Sequence, residues 1–190
     1  MRLPADSQGI AAGSSDGHGE PAHPVQGGAG EALGRKPILV LGLGNDILTD
    51  DAIGLLVIRH LRTVLGEKSP ADLCETTEMG LALLDYIVGY REVIIVDSIQ
   101  TGQAAPGFIH EVDAVELTRL AGRTPHFLGV GDTLALGRQL GLLMPERVRI
   151  LAVEVHDPFT LATEMTPAVR TALPLVVRRI LAVMAGTSTR

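Results

Sequence analysis

Tryptophan is absent from this 190-residue sequence, and aromatic residues together make up only 3% of it. Its hydrophobic fraction of 46% must therefore come mainly from leucine, valine, isoleucine and alanine. Aliphatic cores of this kind are typical of parallel β-sheets that are covered by helices. A chain of this length is expected to form a single domain of ordinary size.

Cysteine, basic runs and long apolar runs are also scarce. The single Cys74 can form neither an internal disulfide nor a CxxC zinc site, which favours a reducing cytoplasm. A net charge of -6 without a long basic run argues against nucleic acid as a partner. Without about 20 consecutive apolar residues or the apolar segment of a signal peptide, we expect no membrane insertion.

The chain divides by composition into an extension and a domain. Residues 1–35 are rich in glycine, alanine, serine and proline and lack a periodic apolar pattern, so we predict a disordered N-terminal extension. From residue 36 to 190, the aliphatic runs PILVLGLGN, REVIIVDSI and RVRILAVEV predict buried strands, with GFIHEVDAV as a more exposed one. Helical patterns alternate with these strands, the last of them containing Pro174, which should kink or split it.

Strands that alternate with helices indicate right-handed βαβ units. The predicted fold class is therefore α/β, as a single three-layer α/β/α domain with a mostly parallel twisted sheet. Ligands in such domains bind beyond the carboxyl ends of the strands. The loops that follow Leu43 and Val96 are therefore the places to look for functional residues.

Several common kinds of site fit the sequence poorly. Gly42 and Gly44 match only the first part of the dinucleotide pattern GxGxxG, because Ile47 occupies the third glycine position, and tight-turn glycines are the better interpretation. No GxSxG elbow or HExxH helix occurs. Cys74 lies in a predicted strand, which is typical of a buried structural thiol.

Acidic and imidazole groups at loop positions remain as candidates. Asp50 and Asp51 follow the first strand, Asp97 ends the strand of REVIIVDSI, and His126 lies in RTPHFLG, interpreted as a loop. Asp51 and Asp97 follow strands that should be neighbours, so with His126 they offer two oxygens and one nitrogen to a divalent metal. The alternative is structural: a helix N-cap at Asp50 or Asp51, a turn former at Asp97 and a surface histidine at His126.

Three ordered segments resemble the hydrogenase maturation endopeptidases. These segments are ILVLGLGNDILTDDAIG, IIVDSIQTGQAAPG and TPHFLGVGDTL, and the resemblance extends from about Pro37 to the last helix. It implies a peptidase that removes a C-terminal extension from the precursor of a nickel-iron hydrogenase large subunit after nickel insertion. It also implies that Asp51, Asp97 and His126 are the metal-contacting and catalytic residues, and that the substrate precursor supplies the nickel. No organic cofactor is implied.

The sequence departs from the pattern of that family at three places. Asp51 stands where glutamate is frequent, so its carboxylate has a shorter reach. Glu78, in TTEMG, occupies a position where a small polar residue is usual, and VEVHDPFTLATEMTP replaces a glycine-bearing loop. These changes affect the choice of substrate more than the reaction.

Two alternatives to a peptidase remain at this point. One is a non-enzymatic module that binds a nucleotide or a sugar phosphate through residues 42–46. The other is a nickel carrier or sensor that uses the same three ligands without hydrolysis. Asp50 and Asn45 are expected to support the site or the loop around it.

Overall fold

The computed structural model describes residues 36–113 and 125–186, and for residues 125–129 it describes the backbone alone. The predicted extension, residues 1–35, lies outside this range. None of the described helices is both long and apolar enough to span a bilayer.

A five-stranded sheet forms the centre of the described chain. Its spatial order is β2-β1-β3-β5-β4, with β4 antiparallel to β5 and all other neighbours parallel. The strands are β1 (Ile38–Leu43), β2 (Asp72–Thr76), β3 (Glu92–Ile99), β4 (Ile109–Asp113) and β5 (Arg147–Glu154). The central strands β1, β3 and β5 are the three aliphatic runs of the sequence, as expected where both faces of a strand are buried.

Helices follow the strands along the chain. The helix α1 ends at Gly66, whose positive φ of 54° suits a glycine at that position. A 3-10 turn, Gly80–Leu83, leads directly into the short helix α2. The helices are α1 (Ile53–Leu65), α2 (Leu84–Ile87), α3 (Pro125–Gln139) and α4 (Pro167–Met184).

Two hydrophobic clusters, one on each face of the sheet, establish the three layers. Val93, Ile95 and Ile99 of β3 belong to the cluster that includes residues of α2 and α3. Ile94 and Val96 belong to the other cluster, which includes residues of α1 and α4. Since side chains alternate between the faces of a strand, this division follows directly from the sequence of β3. The predicted α/β/α fold with a mostly parallel sheet is confirmed.

Three details differ from the predictions. The segment containing His126 is not a loop, because α3 already begins at Pro125, and proline suits the first position of a helix. Pro174 lies within α4 without splitting it. Cys74 lies in β2 as predicted, but it is only partly buried because β2 is an edge strand.

Candidate active site

Asp51 and Asp97 come together at the carboxyl-end edge of the sheet. β1 and β3 are parallel neighbours, with Gly42 in register with Val96. Asp97 is the next residue along β3, and Asp51 lies two residues before the start of α1. The expectation that the two strands are neighbours is therefore confirmed, but Asp97 lies within β3, which continues to Ile99, and does not follow it.

Ser98 links the two aspartates. Its hydroxyl donates a hydrogen bond to Oδ1 of Asp51 over 2.6 Å. Its backbone N–H donates another to Oδ1 of Asp97 over 2.8 Å. All three residues are buried, with exposed fractions of 6% for Asp51, 1% for Asp97 and 3% for Ser98. One serine thus fixes the positions of both carboxylates.

The surroundings of Asp97 disfavour the charged form of its carboxylate. Its burial and the neighbouring charge of Asp51 raise the pKa of Asp97 to about 8, against the opposing effect of the Ser98 N–H. Its Oδ2 is buried and has no hydrogen-bond partner among the described residues. A buried oxygen without a donor beside a second carboxylate is suited to accept a cation or the hydrogen of a docked substrate.

Asp97 and Ser98 point to opposite faces of the sheet, as successive residues of a strand must. Ser98 lies on the side of α1, where it contacts Asp51. Asp97 lies on the face covered by α3, whose Val130 and Leu134 pack in the same cluster as Ile95 and Ile99. The first turn of α3 carries His126. The helix that contains the predicted nitrogen ligand is therefore packed on the face to which Asp97 belongs.

The predicted three-ligand set has two described members. The side chain of His126 lies outside the described residues. Among the residues whose side chains are described, no group of three histidine, cysteine, aspartate or glutamate side chains could hold a metal ion. Asp51 and Asp97 remain as a pair of oxygen donors, and the complete set stays a prediction.

Gly42 in β1 and Gly44 directly after it have a packing role. A Cβ on Gly42 would lie 2.3 Å from the carbonyl oxygen of Gly54 in α1. A Cβ on Gly44 would lie 2.0 Å from the carbonyl oxygen of Asp51, and its φ of 144° also favours glycine. These glycines allow α1 and its preceding loop to approach β1 closely. Their space is filled by the protein backbone, which leaves the dinucleotide interpretation without support.

Asp50 has a structural role that differs from Asp51. It is fully buried, and its carboxylate accepts hydrogen bonds from the N–H and hydroxyl of Thr166 and from the N–H of Asp157. It thereby ties the loop before α1 to the segment between β5 and α4. The helix N-cap is Ala52, without a side-chain capping bond, so the capping interpretation of Asp50 and Asp51 is wrong. Asn45 does support its loop, since its Oδ1 accepts the N–H of Ile47.

Glu154 is a further buried acidic residue at the carboxyl-end edge of the sheet, which the sequence pattern alone did not single out. It ends β5, and its carboxylate accepts hydrogen bonds from the N–H and hydroxyl of Thr101, the N–H of Gly102 and Nε2 of His110. Burial raises the pKa of Glu154, but these hydrogen bonds outweigh it and lower the pKa below its usual value. An acidic residue at the end of the aliphatic run RVRILAVEV was the available signal, the same one that identified Asp97.

Comparison with known proteins relates the chain to a family. The family model described as hydrogenase maturation protease matches residues 55–183, a range that includes Asp97 and His126 and begins four residues after Asp51. The chain is 28% identical to the hydrogenase 2 maturation protease of Escherichia coli (strain K12), over 77% of this chain and 90% of that protein.

Solved structures agree with the sequence matches. The structure of the hydrogenase maturating endopeptidase HybD from E. coli superposes with a TM-score of 0.65 at 27% identity, covering 80% of this chain and 93% of that one. The fold is also shared with the [NiFe] hydrogenase maturation protease HybD from Thermococcus kodakarensis, with a TM-score of 0.62 at 21% identity, over 77% of this chain and 98% of that one. None of these relatives is described as a nucleotide-binding module or a nickel carrier.

Proposed function

The chain belongs to the hydrogenase maturation protease family and is a peptidase, and we propose that it removes the C-terminal extension of a nickel-loaded large-subunit precursor. The observation that carries this proposal is the buried Oδ2 of Asp97, which has no donor among the described residues and whose carboxylate interacts electrostatically with Asp51 at the carboxyl-end edge of the sheet. Such a pair suits a substrate that brings its own cation.

In this proposal Asp51, Asp97 and His126 contact the nickel that the precursor carries. Two carboxylate oxygens and one imidazole nitrogen are acceptable ligands for a divalent transition metal. Ser98 keeps the two carboxylates in place, so little freedom is lost when the precursor docks. In this proposal the bound nickel distinguishes a precursor that is ready for cleavage from one that is not. A metal ion can also act as a Lewis acid that polarises a bound carbonyl or water.

The proposed partner is therefore the precursor of a hydrogenase large subunit, and the proposed location is the cytoplasm, where the single Cys74 stays reduced.

We also propose that residues 36–190 form the functional domain and that residues 1–35 are dispensable. Deletion of residues 1–33 should leave the melting temperature within a few degrees of the full chain and preserve cleavage of the precursor. A larger fall would assign the extension a role in stability.

The decisive experiment compares Asp97→Asn with Asp113→Asn, which changes an exposed aspartate at the end of β4. Purified nickel-loaded precursor is incubated with each variant, and cleavage is followed by the mass of the product. Asp97→Asn should remain folded, since the neutral amide avoids the burial of a charge, and should lose cleavage. Asp113→Asn should cleave at the rate of the unaltered protein. Normal cleavage by folded Asp97→Asn would remove Asp97 from the site.

A further inference from the structure

Two loops at the carboxyl-end edge of the sheet present large apolar side chains to solvent. Ile47, in the loop between β1 and α1, is 58% exposed. Phe159 and Leu161, in the segment between β5 and α4, are 75% and 73% exposed. We call these three residues the apolar loop surface. Exposed apolar side chains that are grouped on one part of a surface are typical of contact sites for other proteins.

The two loops are joined to each other by hydrogen bonds. The N–H and the hydroxyl of Thr49 both donate to the carbonyl of Thr160, at 2.9 and 2.7 Å. The N–H of Ala162 donates to the carbonyl of Ile47 over 3.2 Å, and Leu48 and Leu161 form a β-bridge. The apolar loop surface is thus built on a short antiparallel pairing of the two loops.

A buried carboxylate anchors this pairing to the domain. Oδ1 of Asp50 accepts the N–H of Thr166 over 2.8 Å, and its Oδ2 accepts the hydroxyl of Thr166 over 3.0 Å. The N–H of Asp50 donates in turn to the carbonyl of Asp157. Because the loops are held in this way, a partner that contacts them needs to order little backbone, and more of the contact free energy remains as affinity.

The apolar loop surface is continuous with the candidate active site. Ile47 precedes Asp51 by four residues in the same loop, and Asp50, which anchors both loops, is adjacent to Asp51. By contrast, the exposed Leu140 and Leu143 lie before β5, at the amino-end edge of the sheet, away from the two carboxylates. Position therefore distinguishes the apolar loop surface from Leu140 and Leu143.

We infer that Ile47, Phe159 and Leu161 form the docking surface for the large-subunit precursor, which contacts them with apolar side chains of its own next to its bound nickel. This inference rests on the proposed function. A peptidase must hold its protein substrate beside the reacting groups, and three ligands on one metal do not fix the orientation of a protein. Apolar contacts on a preformed surface supply that orientation and the affinity that metal contacts lack.

The test uses Phe159→Ser, Leu161→Ser and the double variant, with Leu140→Ser as the matched control at the opposite edge of the sheet. Cleavage of purified nickel-loaded precursor is measured over a range of precursor concentrations, together with the melting temperature and the molar mass by light scattering. Each single variant should raise KM about tenfold, and the double variant more, with kcat changed less than about twofold. Leu140→Ser should leave KM unchanged, and all variants should keep the melting temperature.

The outcomes separate this inference from the function on which it rests. If the unaltered protein fails to cleave the precursor, the proposed function falls, and the docking surface falls with it. If the unaltered protein cleaves but the double variant keeps its KM, the docking surface alone is overturned. A dimer of the unaltered protein that the double variant converts to a monomer, with KM unchanged, would assign the surface to a second copy of this chain and would also overturn the inference.

Discussion

The hydroxyl of Ser98 donates a hydrogen bond to Oδ1 of Asp51 across the boundary between β3 and the loop before α1, at a distance of 2.6 Å. This bond joins two segments that are 47 residues apart in the sequence. The backbone N–H of Ser98 donates a second hydrogen bond, to Oδ1 of Asp97. The positions of both carboxylates therefore depend on one residue. Ser98 therefore acts as a positioning residue for the proposed metal-contacting pair.

Ser98→Ala should lower the free energy of unfolding by about 1–3 kcal/mol, because Oδ1 of the buried Asp51 loses its donor. Cleavage of the precursor should fall as well, since the Asp51 carboxylate is no longer fixed. Urea unfolding and precursor cleavage provide the two measurements. Ser98→Thr, which retains a hydroxyl, should restore a large part of the cleavage. A Ser98→Ala variant with unaltered stability and cleavage would show that the bond is unimportant.

The adjacent aspartates 50 and 51 should respond differently to substitution. Asp50→Ala should reduce the free energy of unfolding by about 2–4 kcal/mol, because two donors of Thr166 and the N–H of Asp157 lose their acceptor. Asp51→Asn should abolish cleavage while it costs less stability. Chemical denaturation of both variants distinguishes the two roles. Equal losses of stability would contradict the assignment of Asp50 as the structural member of the pair.

Much of the fold was predictable from the sequence, because the buried strands coincide with unbroken runs of aliphatic residues. β1, β3 and β5 each combine this pattern with a loop or helix signal at the carboxyl end, and parallel neighbours follow from the helical connections. The position of Asp97 near the end of such a run made it a candidate site residue, and the structure shows it buried and in electrostatic interaction with Asp51. A buried acidic residue in an aliphatic strand is costly for folding, and its position at the edge of the sheet where ligands bind accounts for it.

The remaining features depend on contacts between segments that are far apart in the sequence. Nothing near Ser98 indicates that its hydroxyl meets Asp51, and the partners of Asp50 lie 107 and 116 residues away. The start of α3 at Pro125 was missed although proline suits a first helical position, because RTPHFLG has too few residues to show a helical period. Glu154 was missed because its partner Thr101 lies in a loop without a regular pattern.

Glu154 should stabilise the fold in a pH-dependent manner. Hydrogen bonds from Thr101, His110 and Gly102 lower its pKa in the folded protein, so its contribution is complete above the pKa of the unfolded chain, about 4.3. The contribution is lost as the pH falls through the lower folded-state pKa. Glu154→Gln should therefore lower the free energy of unfolding at pH 7 by about 1–2 kcal/mol, which is seen as a lower melting temperature. The difference in melting temperature from the unaltered protein should shrink towards pH 3.

Thermal unfolding of both proteins at several pH values between 3 and 7 measures this effect. Glu67→Gln, which removes an exposed carboxylate in the turn after α1, is the matched control. A constant difference between Glu154→Gln and the unaltered protein across the pH range would mean that packing, rather than the charge of Glu154, accounts for the effect.

The isolated protein should bind divalent metal only weakly, and tight engagement should require the nickel of the precursor. Of the proposed ligands, Asp51 has Oδ1 committed to the hydroxyl of Ser98, and Asp97 has Oδ1 committed to the backbone N–H of Ser98. No thiolate belongs to the proposed set, and a set of three ligands is open. A precursor without nickel offers nothing for these residues to contact, so the same arrangement also provides discrimination between loaded and empty precursor.

The measurement is the metal content of protein purified without chelator, combined with cleavage of nickel-loaded and nickel-free precursor under identical conditions. We expect substoichiometric metal in the free protein and cleavage of the loaded precursor alone. Added nickel or zinc should not enable cleavage of the empty precursor unless the ion enters the precursor itself. Stoichiometric, tightly bound metal in the free protein, or equal cleavage of both precursors, would identify an ordinary metallopeptidase with a resident ion, because the discrimination would then no longer depend on the metal of the substrate.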